Sequence, residues 1–263
     1  DRIAQIARDV YGYEPGRTVS EAFDFDDEKY LIKLDWYASE TQRLSMTYMY
    51  NDSFNFTASD GDLDEFEFDK HFYKRGAELT TYNINWYADW SENFSTEVRY
   101  SYNEVDFLQA SVSGGDFAEF RIELDEVDVY LGQDDSRQAN DLDWEVEQLV
   151  ARGTYIMDDH TITFGYERDS SDIYNLFYQH VDTEIRFDGI DNFEQGIAAR
   201  VYYGNAITNN ELDAAVSWGY TIHTAYIEDE WQVSPDFRLT YGLRYDSYES
   251  DDKPALNPAF ATD

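Results

Sequence analysis

Three aspartates alternate along the segment SDGDLDEFEFD, and their spacing is the first pattern in the sequence that could do chemistry. Hard cations such as Ca²⁺ take clustered carboxylate oxygens as ligands, so Asp60, Asp62 and Asp64 form a candidate Ca²⁺ site. An EF-hand loop that began at Asp60 would need glycine where Glu65 stands and an acid where His71 stands. Because neither requirement is met, we favour a solvated acidic loop and keep bound Ca²⁺ as the alternative.

A second candidate for chemistry is the run Asp158, Asp159 and His160, an acid and histidine combination of the kind that activates water. The run falls in a predicted tight turn, which would expose it to bulk solvent without a pocket. The polar segment 134–137 (DDSR) fits a charge-balanced surface loop, and the chain has no Gly-rich phosphate loop, nucleophile elbow, zinc motif or cysteine. We therefore predict no catalytic residues, no enzyme activity and no cofactor apart from the Ca²⁺ alternative.

Charge and composition exclude several classes of protein. The 263 residues carry 56 acidic and 19 basic side chains, which gives a formal net charge of −37. Nucleic-acid binding needs Lys and Arg to displace counterions, so we predict no nucleic-acid partner. Aromatic residues make up 17% of the chain, too many for a disordered acidic protein. The mean hydropathy of −0.67 and the lack of an apolar run of about 18 residues argue against a membrane-spanning helix.

Polar and apolar residues alternate with a period of two in many segments, as they do in β-strands with two different faces. Between positions 93 and 103, Phe94, Val98 and Tyr102 lie on one face while Glu97 and Arg99 lie on the other. The same alternation occurs in segments 30–36, 44–50, 81–90, 162–166 and 238–246. Each segment is therefore predicted to be a strand with one apolar face and one charged face, and the charges are predicted to form lumenal ion pairs.

Short turns join the predicted strands in pairs, and long acidic segments separate the pairs. The turns are 38–41, 91–93, 157–160 and 234–236, and the long segments are 52–76, 105–117, 170–217 and 247 onward. This is the plan of an outer-membrane barrel with short periplasmic turns and long extracellular loops. The sequence predicts an all-β chain, part of an antiparallel transmembrane β-barrel, with about ten strands. No motif recurs between the units, which argues against a propeller.

Large aromatic side chains on the apolar faces favour a membrane. Trp36, Trp86, Trp90, Trp231 and Tyr241 lie on these faces, several of them close to a short turn. Tyr and Trp gather at membrane interfaces because one part of the ring is apolar and another can form hydrogen bonds. We predict that these five residues contact outer-membrane lipid. The alternative is that they form the core of a soluble, secreted β-sandwich that binds other molecules.

The segment 224–246, TAYIEDEWQVSPDFRLTYGLRYD, resembles the strand, short turn and strand that recur in the barrels of TonB-dependent outer-membrane receptors. The positions that match this pattern are Tyr226, Asp229, Trp231, Tyr241, Gly242, Arg244, Tyr245 and Asp246. Segments 25–36, 131–142, 159–177 and 191–206 are similar to the Oar-like branch of these receptors. The resemblance thus covers most of the chain.

The resemblance implies a barrel of ~22 strands whose lumen is filled by a plug domain. All of 1–263 would then be part of the barrel domain, with the plug and the signal peptide outside this fragment. It also implies a monomeric receptor in the outer membrane of a Gram-negative bacterium. Such a receptor binds a ligand, unidentified here, at its extracellular loops and imports it with energy that the TonB complex relays through the plug. Two alternatives stay open: a small complete outer-membrane barrel that acts as an adhesin or a loop-based enzyme, and the secreted β-sandwich.

Overall fold

The computed structural model describes residues 2–18, 25–59, 62–115 and 117–253. Within these residues the chain forms two β-sheets and two short α-helices. The elements in chain order are α1 (Arg2–Tyr11), β1 (Asp26–Tyr37), β2 (Gln42–Thr57), β3 (Glu65–Glu67), β4 (Tyr73–Ser91), β5 (Phe94–Ser111), β6 (Glu119–Glu123), β7 (Asp128–Leu131), β8 (Ala139–Met157), β9 (His160–Tyr178), β10 (Glu184–Asp188), α2 (Ile190–Gln195), β11 (Arg200–Tyr202), β12 (Val216–Ser234) and β13 (Phe237–Glu249). No helix in the described ranges is long and apolar enough to cross a membrane.

The larger sheet, which we call the barrel sheet, contains eight of the described strands in the order β1-β2-β4-β5-β8-β9-β12-β13. Every neighbouring pair in it is antiparallel. Among the described residues the sheet is open, with β1 at one edge and β13 at the other. The prediction of a large antiparallel sheet is therefore confirmed, although the sheet has eight strands among the described residues where the sequence suggested about ten.

The four predicted short turns all connect neighbouring strands of the barrel sheet. They join β1 to β2, β4 to β5, β8 to β9 and β12 to β13, and they lie together at one end of the sheet, the turn end. Asp158, between β8 and β9, has a φ of 51°, in the left-handed region that Asp tolerates better than most residues. Asp158 and Asp159 are thus turn residues. The longer connections lie at the opposite end, the loop end.

The strands extend further toward the loop end than the apolar alternation indicates. Six of them have 16 to 19 residues, so parts of the predicted loops 52–76, 105–117 and 170–217 are strand. The apolar face becomes acidic there: Glu104 follows Tyr102 on the same face of β5 and pairs with Glu145 of β8. Backbone pairing continues because the hydrogen bonds of the ladder do not depend on apolar side chains.

The two faces of the barrel sheet differ in chemistry. One face, the apolar face, carries large hydrophobic side chains that are exposed, including Tyr30, Ile32, Leu34, Tyr82, Ile84, Phe164, Tyr166, Ile227, Leu239, Leu243 and Tyr245. The opposite, polar face carries charged side chains joined in ion pairs. A β-sandwich would cover such an apolar face with a second sheet. In this structure these side chains are exposed on the surface of the sheet.

The connections at the loop end and the helix α1, which precedes β1, fold into a second unit, the loop domain, made of α1, α2, β3, β6, β7, β10 and β11. Its described strands form a five-stranded sheet in the order β11-β10-β6-β7-β3. The pairs β10/β6 and β3/β7 are parallel, and the pairs β10/β11 and β6/β7 are antiparallel. The long acidic segments, which the sequence predicts only as loops, thus contain strands and a helix, and this part of the chain is not all-β.

A hydrophobic core holds the loop domain together. In α1, Ile3, Ala4, Ile6 and Ala7 are buried, and their spacing places them on one face of the helix. This face packs against one side of the five-stranded sheet and against α2, in a cluster with Phe68, Phe120, Ile122, Val129, Leu131, Phe187 and Phe193. The charged residues of the same strands alternate with these hydrophobic residues and lie on the other side of the sheet.

Candidate functional site

The aromatic residues predicted for a membrane interface lie on the apolar face near the turn end. Trp36, Trp86, Trp90, Trp231 and Tyr241 are all at least 36% exposed. Trp86 and Trp90 pack edge to face with ring centroids 5.8 Å apart, and Trp90 Nε1 donates a hydrogen bond to Thr96 Oγ1 at 2.8 Å. Large rings that remain exposed and still satisfy their polar atoms suit an interface between apolar and polar surroundings.

A small polar cluster interrupts the apolar face beside the turn end. Asp229 Oδ2 accepts a hydrogen bond from the Tyr241 hydroxyl at 2.6 Å and lies 2.8 Å from His160 Nδ1. The His160 ring stacks on Trp231, with centroids 5.3 Å apart. His160 is thus held by Asp229 and Trp231, while its sequence neighbours Asp158 and Asp159 form the turn. These contacts attach the start of β9 to the hairpin of β12 and β13 at the turn end.

The residues of the resemblance motif divide between the two faces of β12 and β13. Asp229, Trp231, Tyr241 and Tyr245 lie on the apolar face, and Tyr226, Gly242, Arg244 and Asp246 lie on the polar face. Arg244 Nε donates to Asp246 Oδ1 at 3.0 Å, and Thr224 Oγ1 donates to the same oxygen at 2.6 Å. The motif therefore specifies both faces of one hairpin.

Glycine allows close packing on the polar face. A Cβ atom at Gly165 would lie 2.5 Å from the Tyr226 ring, so the ring covers the backbone of β9. On the apolar face, Phe164 covers Gly153 in the same way, because a Cβ there would lie 2.5 Å from that ring. Aromatic rings that cover strand glycines fix the register of neighbouring strands.

The charges of the polar face are paired, as the sequence predicts. Arg99 Nε lies 2.6 Å from Glu97 Oε1, and Arg238 Nη1 lies 3.1 Å from Glu230 Oε1. Lys33 Nζ lies 3.7 Å from Asp35 Oδ2. Exposed pairs of this kind stabilise a fold by at most about 1 kcal/mol each, so their main effect is to keep a charged wall neutral and wet.

Two of the three predicted Ca²⁺ residues, Asp62 and Asp64, lie in the described part of the chain. Asp60 lies outside the described residues. Asp62 and Asp64 have exposed side chains, and their backbone carbonyls accept hydrogen bonds from Glu65 N and Asp128 N. Neither belongs to a group of three potential metal-ligating residues found in the described part of the chain.

Such groups do form at the edge of the loop domain. One contains Asp135, His180 and Glu184, and another contains Glu119, Asp134 and Asp135; in each group the ligand atoms lie within 4.8 Å of one another. Glu119 is on β6 and Glu184 on β10, where they are partners in the parallel register. The two groups share Asp135, so they form one acidic site, which we call the loop-domain cluster.

Burial governs the electrostatics of this cluster. Desolvation, followed by repulsion from Asp135, raises the pKa of Glu119 well above its usual range. Desolvation also raises the pKa of Asp134, whose side chain accepts a hydrogen bond from Ser136 N. Asp134 is 4% exposed and Gln133 is equally buried. The interpretation of 134–137 as a charge-balanced surface loop is therefore wrong for Asp134, because the loop packs against the domain.

Comparison with known families identifies the chain as a whole. The family described as outer membrane beta barrel domain matches residues 14–255, which is most of the chain. The chain belongs to this outer-membrane β-barrel family. The match places the protein in the bacterial outer membrane, in agreement with the predicted localisation. No curated protein matches the sequence.

Among solved structures, this outer-membrane β-barrel chain is similar to the outer membrane transporter YddB from Escherichia coli. The match has a TM-score of 0.56 and 13% sequence identity, and it covers 84% of this chain. At that identity the likeness shows the fold alone. The chain spans 27% of the YddB chain, so it corresponds to about a quarter of that transporter.

Sequence reasoning missed the loop-domain cluster of this outer-membrane β-barrel. A signal was present: EFRIE at 119–123 and EIRFD at 184–188 each alternate polar and apolar residues. Both runs are only five residues long, and their pairing joins positions 65 residues apart in register. The cluster is therefore created by the fold of the loop domain and has no local motif.

Proposed function

We propose that this chain is part of the barrel of a TonB-dependent receptor of the Oar-like branch, which binds a ligand at extracellular loops and imports it. The observation that carries the proposal is the open antiparallel sheet with one apolar and one charged face, which is similar in fold to about a quarter of a transporter chain. A barrel wall of this kind separates lipid from a polar lumen.

The height of the apolar band supports a membrane-spanning wall. On β5 the band runs from Phe94 to Tyr102, and on β13 it runs from Phe237 to Tyr245, nine residues in each case. A tilted barrel strand needs ~9 to 11 residues to cross the hydrocarbon core. In this proposal Trp36, Trp86, Trp90, Trp231 and Tyr241 contact lipid at the periplasmic interface.

The orientation follows from the lengths of the connections. In outer-membrane barrels the short turns face the periplasm and the long loops face outward. The turn end is then periplasmic, and the loop domain is on the cell surface, where a ligand arrives first. The acidic residues that follow the apolar band, such as Glu104, mark the outer boundary of the lipid.

The paired charges of the polar face suit a lumen that contacts a plug domain. Arg99, Arg238 and Arg244 each pair with a carboxylate on the same face, so the wall presents little net charge of its own. In this proposal residues 1–263 belong to one barrel domain and the plug lies elsewhere in the protein. The protein is a monomeric transporter without chemistry of its own, and the TonB complex contacts its plug.

Retention on TonB tests the receptor assignment. The full-length protein, extracted in detergent, would be applied to the immobilised periplasmic domain of TonB from the same bacterium. We expect retention, and its loss when the TonB box is deleted from otherwise identical protein. A reading frame without a plug, or an intact protein that is not retained, would instead favour the small complete barrel.

Cysteine labelling tests the orientation separately. The chain contains no cysteine, so single cysteines can be introduced at exposed Ile207, at the loop end, and at exposed Glu92, in a turn. A membrane-impermeant maleimide should label Ile207→Cys in intact cells and Glu92→Cys only after the outer membrane is permeabilised. The reverse pattern would contradict the proposed orientation.

A further inference from the structure

One carboxylate oxygen of the loop-domain cluster has no hydrogen-bond partner among the described residues. The Glu184 side chain is 1% exposed, and its Oε1 accepts a hydrogen bond from Arg186 Nε. Its Oε2 is buried without a hydrogen-bond partner in the described residues. A buried carboxylate oxygen that has lost its water is unfavourable unless something else binds it. Glu184 Oε2 is therefore directed at a position where a ligand is expected.

His180 faces the same position. Its Nδ1 lies 3.6 Å from Glu184 Oε2 and 3.1 Å from Asp135 Oδ2, and this nitrogen also lacks a hydrogen-bond partner in the described part of the chain. Ligand atoms ~2.0 to 2.2 Å from a tetrahedral Zn²⁺ ion are about 3.3 to 3.6 Å apart. The two distances from His180 are thus close to those between ligands around a shared ion, and the ligand atoms of all three side chains lie within 4.8 Å of one another.

The backbone holds His180 in an unusual conformation. His180 has a φ of 65°, which is uncommon for a residue with a side chain. Its carbonyl accepts hydrogen bonds from Thr183 N at 3.1 Å and Gly204 N at 3.2 Å, and its ring stacks on Tyr202. Because sparsely populated conformations persist only where the surroundings impose them, they often mark functional positions.

Two glutamines fix the segments that carry the three residues. Gln138, beside the Asp135 turn, accepts a hydrogen bond from Asp182 N at 2.9 Å and donates one to Thr183 O at 3.2 Å. Gln179 Nε2 donates to Ser136 Oγ at 2.9 Å. The connection from β5 to β8 is thereby attached to the connection from β9 to β12. The three side chains are held in place before any ion binds.

The surroundings are rich in negative charge. Glu119 accepts a hydrogen bond from Asp135 N at 2.6 Å, and Asp134 is in the same group of carboxylates. Arg186 forms an ion pair with Glu184. The carboxylates of Glu119, Asp134, Asp135 and Glu184 lie close together, and a divalent cation bound among them would offset their negative charge.

We propose that Asp135, His180 and Glu184 bind one divalent transition-metal ion, with Zn²⁺ as the best fit. One imidazole nitrogen and two carboxylates are a Zn²⁺ type of ligand set, whereas Ca²⁺ and Mg²⁺ favour oxygen ligands alone. The ion joins the β5–β8 connection to the β9–β12 connection and so stabilises the loop domain. This site is independent of the importer proposal, since it requires neither TonB nor a transported ligand.

Metal titration of the full-length protein in detergent tests the site. The protein would first be treated with a chelator, and the chelator would then be removed. ZnCl₂ would be added, and Zn²⁺ binding would be followed by calorimetry. We expect saturable binding that His180→Asn weakens at least tenfold, because Asn tolerates the left-handed backbone while removing the imidazole. His223→Asn, in the barrel sheet, and Asp143→Asn, in an exposed acidic group on β5 and β8, are matched controls that should bind as the unchanged protein does.

Equal Zn²⁺ affinity in His180→Asn and the unchanged protein would overturn the proposal, and so would Ca²⁺ that competes as strongly as Zn²⁺. If His180→Asn fails to fold, Co²⁺ absorption of the unchanged protein decides. Visible bands stronger than those of Co²⁺ in buffer, removed by equimolar Zn²⁺, support the site, and their absence excludes it. Retention on TonB should not depend on Zn²⁺, so failure of one proposal is distinguishable from failure of the other.

Discussion

The barrel sheet and the loop domain treat large hydrophobic side chains in opposite ways. Leu243 and Tyr245 of the barrel sheet are 80% and 72% exposed, whereas Phe187 and Phe193 of the loop domain are 2% and 0% exposed. Exposed hydrophobic surface of that extent is stable where lipid replaces water, and a buried cluster is stable in water itself. One chain thus combines a wall suited to a membrane with a small domain suited to an aqueous surface.

The largest effect should come from a change in the core of the loop domain. Phe193 stacks on Tyr11 and contacts Phe187, so Phe193→Ala should destabilise the domain by about 3 to 5 kcal/mol through loss of burial and a cavity. The measurement is hydrogen exchange of the loop-domain backbone in the intact protein. Phe237→Ala, at an exposed phenylalanine of the barrel sheet, is the control and should leave that exchange unchanged. Equal effects of the two would mean that the two regions do not differ in packing.

The second largest effect on stability should come from an arginine introduced into the apolar face of the barrel sheet, compared with one introduced into the loop domain. Ile84 lies in the middle of the apolar face and Ile197 lies in the loop domain, with exposures of 42% and 54%. Ile84→Arg should destabilise the protein in vesicles by about 2 to 4 kcal/mol, since lipid solvates a guanidinium poorly, while Ile197→Arg should change little. Urea titration in lipid vesicles measures both. A similar loss of stability for the two variants would contradict lipid contact at Ile84.

The sequence predicted the barrel sheet better than the loop domain for a physical reason. Strands such as β5 alternate over nine residues from Phe94 to Tyr102, because lipid and lumen act on them along that whole length. The turn at Asp158 was also predictable, since the polar residues Asp158 and Asp159 precede the alternating run 162–166. Beyond Tyr102, the acidic Glu104 ends the apolar and polar alternation of β5, but the backbone pairing with β8 continues. The predicted end of this strand therefore comes too early in the sequence.

The loop domain was hidden because its contacts are not local. β6 and β10 have five residues each and pair in parallel across two intervening barrel strands in the chain, β8 and β9. The site residues Asp135 and His180 belong to different connections, so no spacing motif links them. Whether a residue such as Asp134 is exposed depends on that long-range packing, which composition does not reveal.

Close packing within the barrel sheet gives a smaller effect that sharpens the comparison. Gly165→Ala places a methyl group against the Tyr226 ring and should destabilise the barrel by about 1 to 3 kcal/mol. Thermal unfolding of the purified protein measures the change. In a Tyr226→Ala background the same substitution should have less effect, because the ring that it meets is gone. Equal losses in both backgrounds would show that the Gly165 backbone, and not the ring, sets the requirement.

The smallest effect at neutral pH should come from the Tyr13 hydroxyl in the segment after α1. Burial raises the pKa of Tyr13 from 10.0 to about 12, and its ring stacks on Phe117. Between these two values the folded state holds a proton that the unfolded state has lost, so stability falls as pH rises through that window. Tyr13→Phe should therefore change stability little at pH 7 but reduce the alkaline loss. Urea unfolding followed by near-ultraviolet circular dichroism from pH 9 to 12 checks this, with Tyr248→Phe of the barrel sheet as the control. An alkaline loss unchanged by Tyr13→Phe would show that this hydroxyl ionises as readily in the folded loop domain as in the unfolded chain.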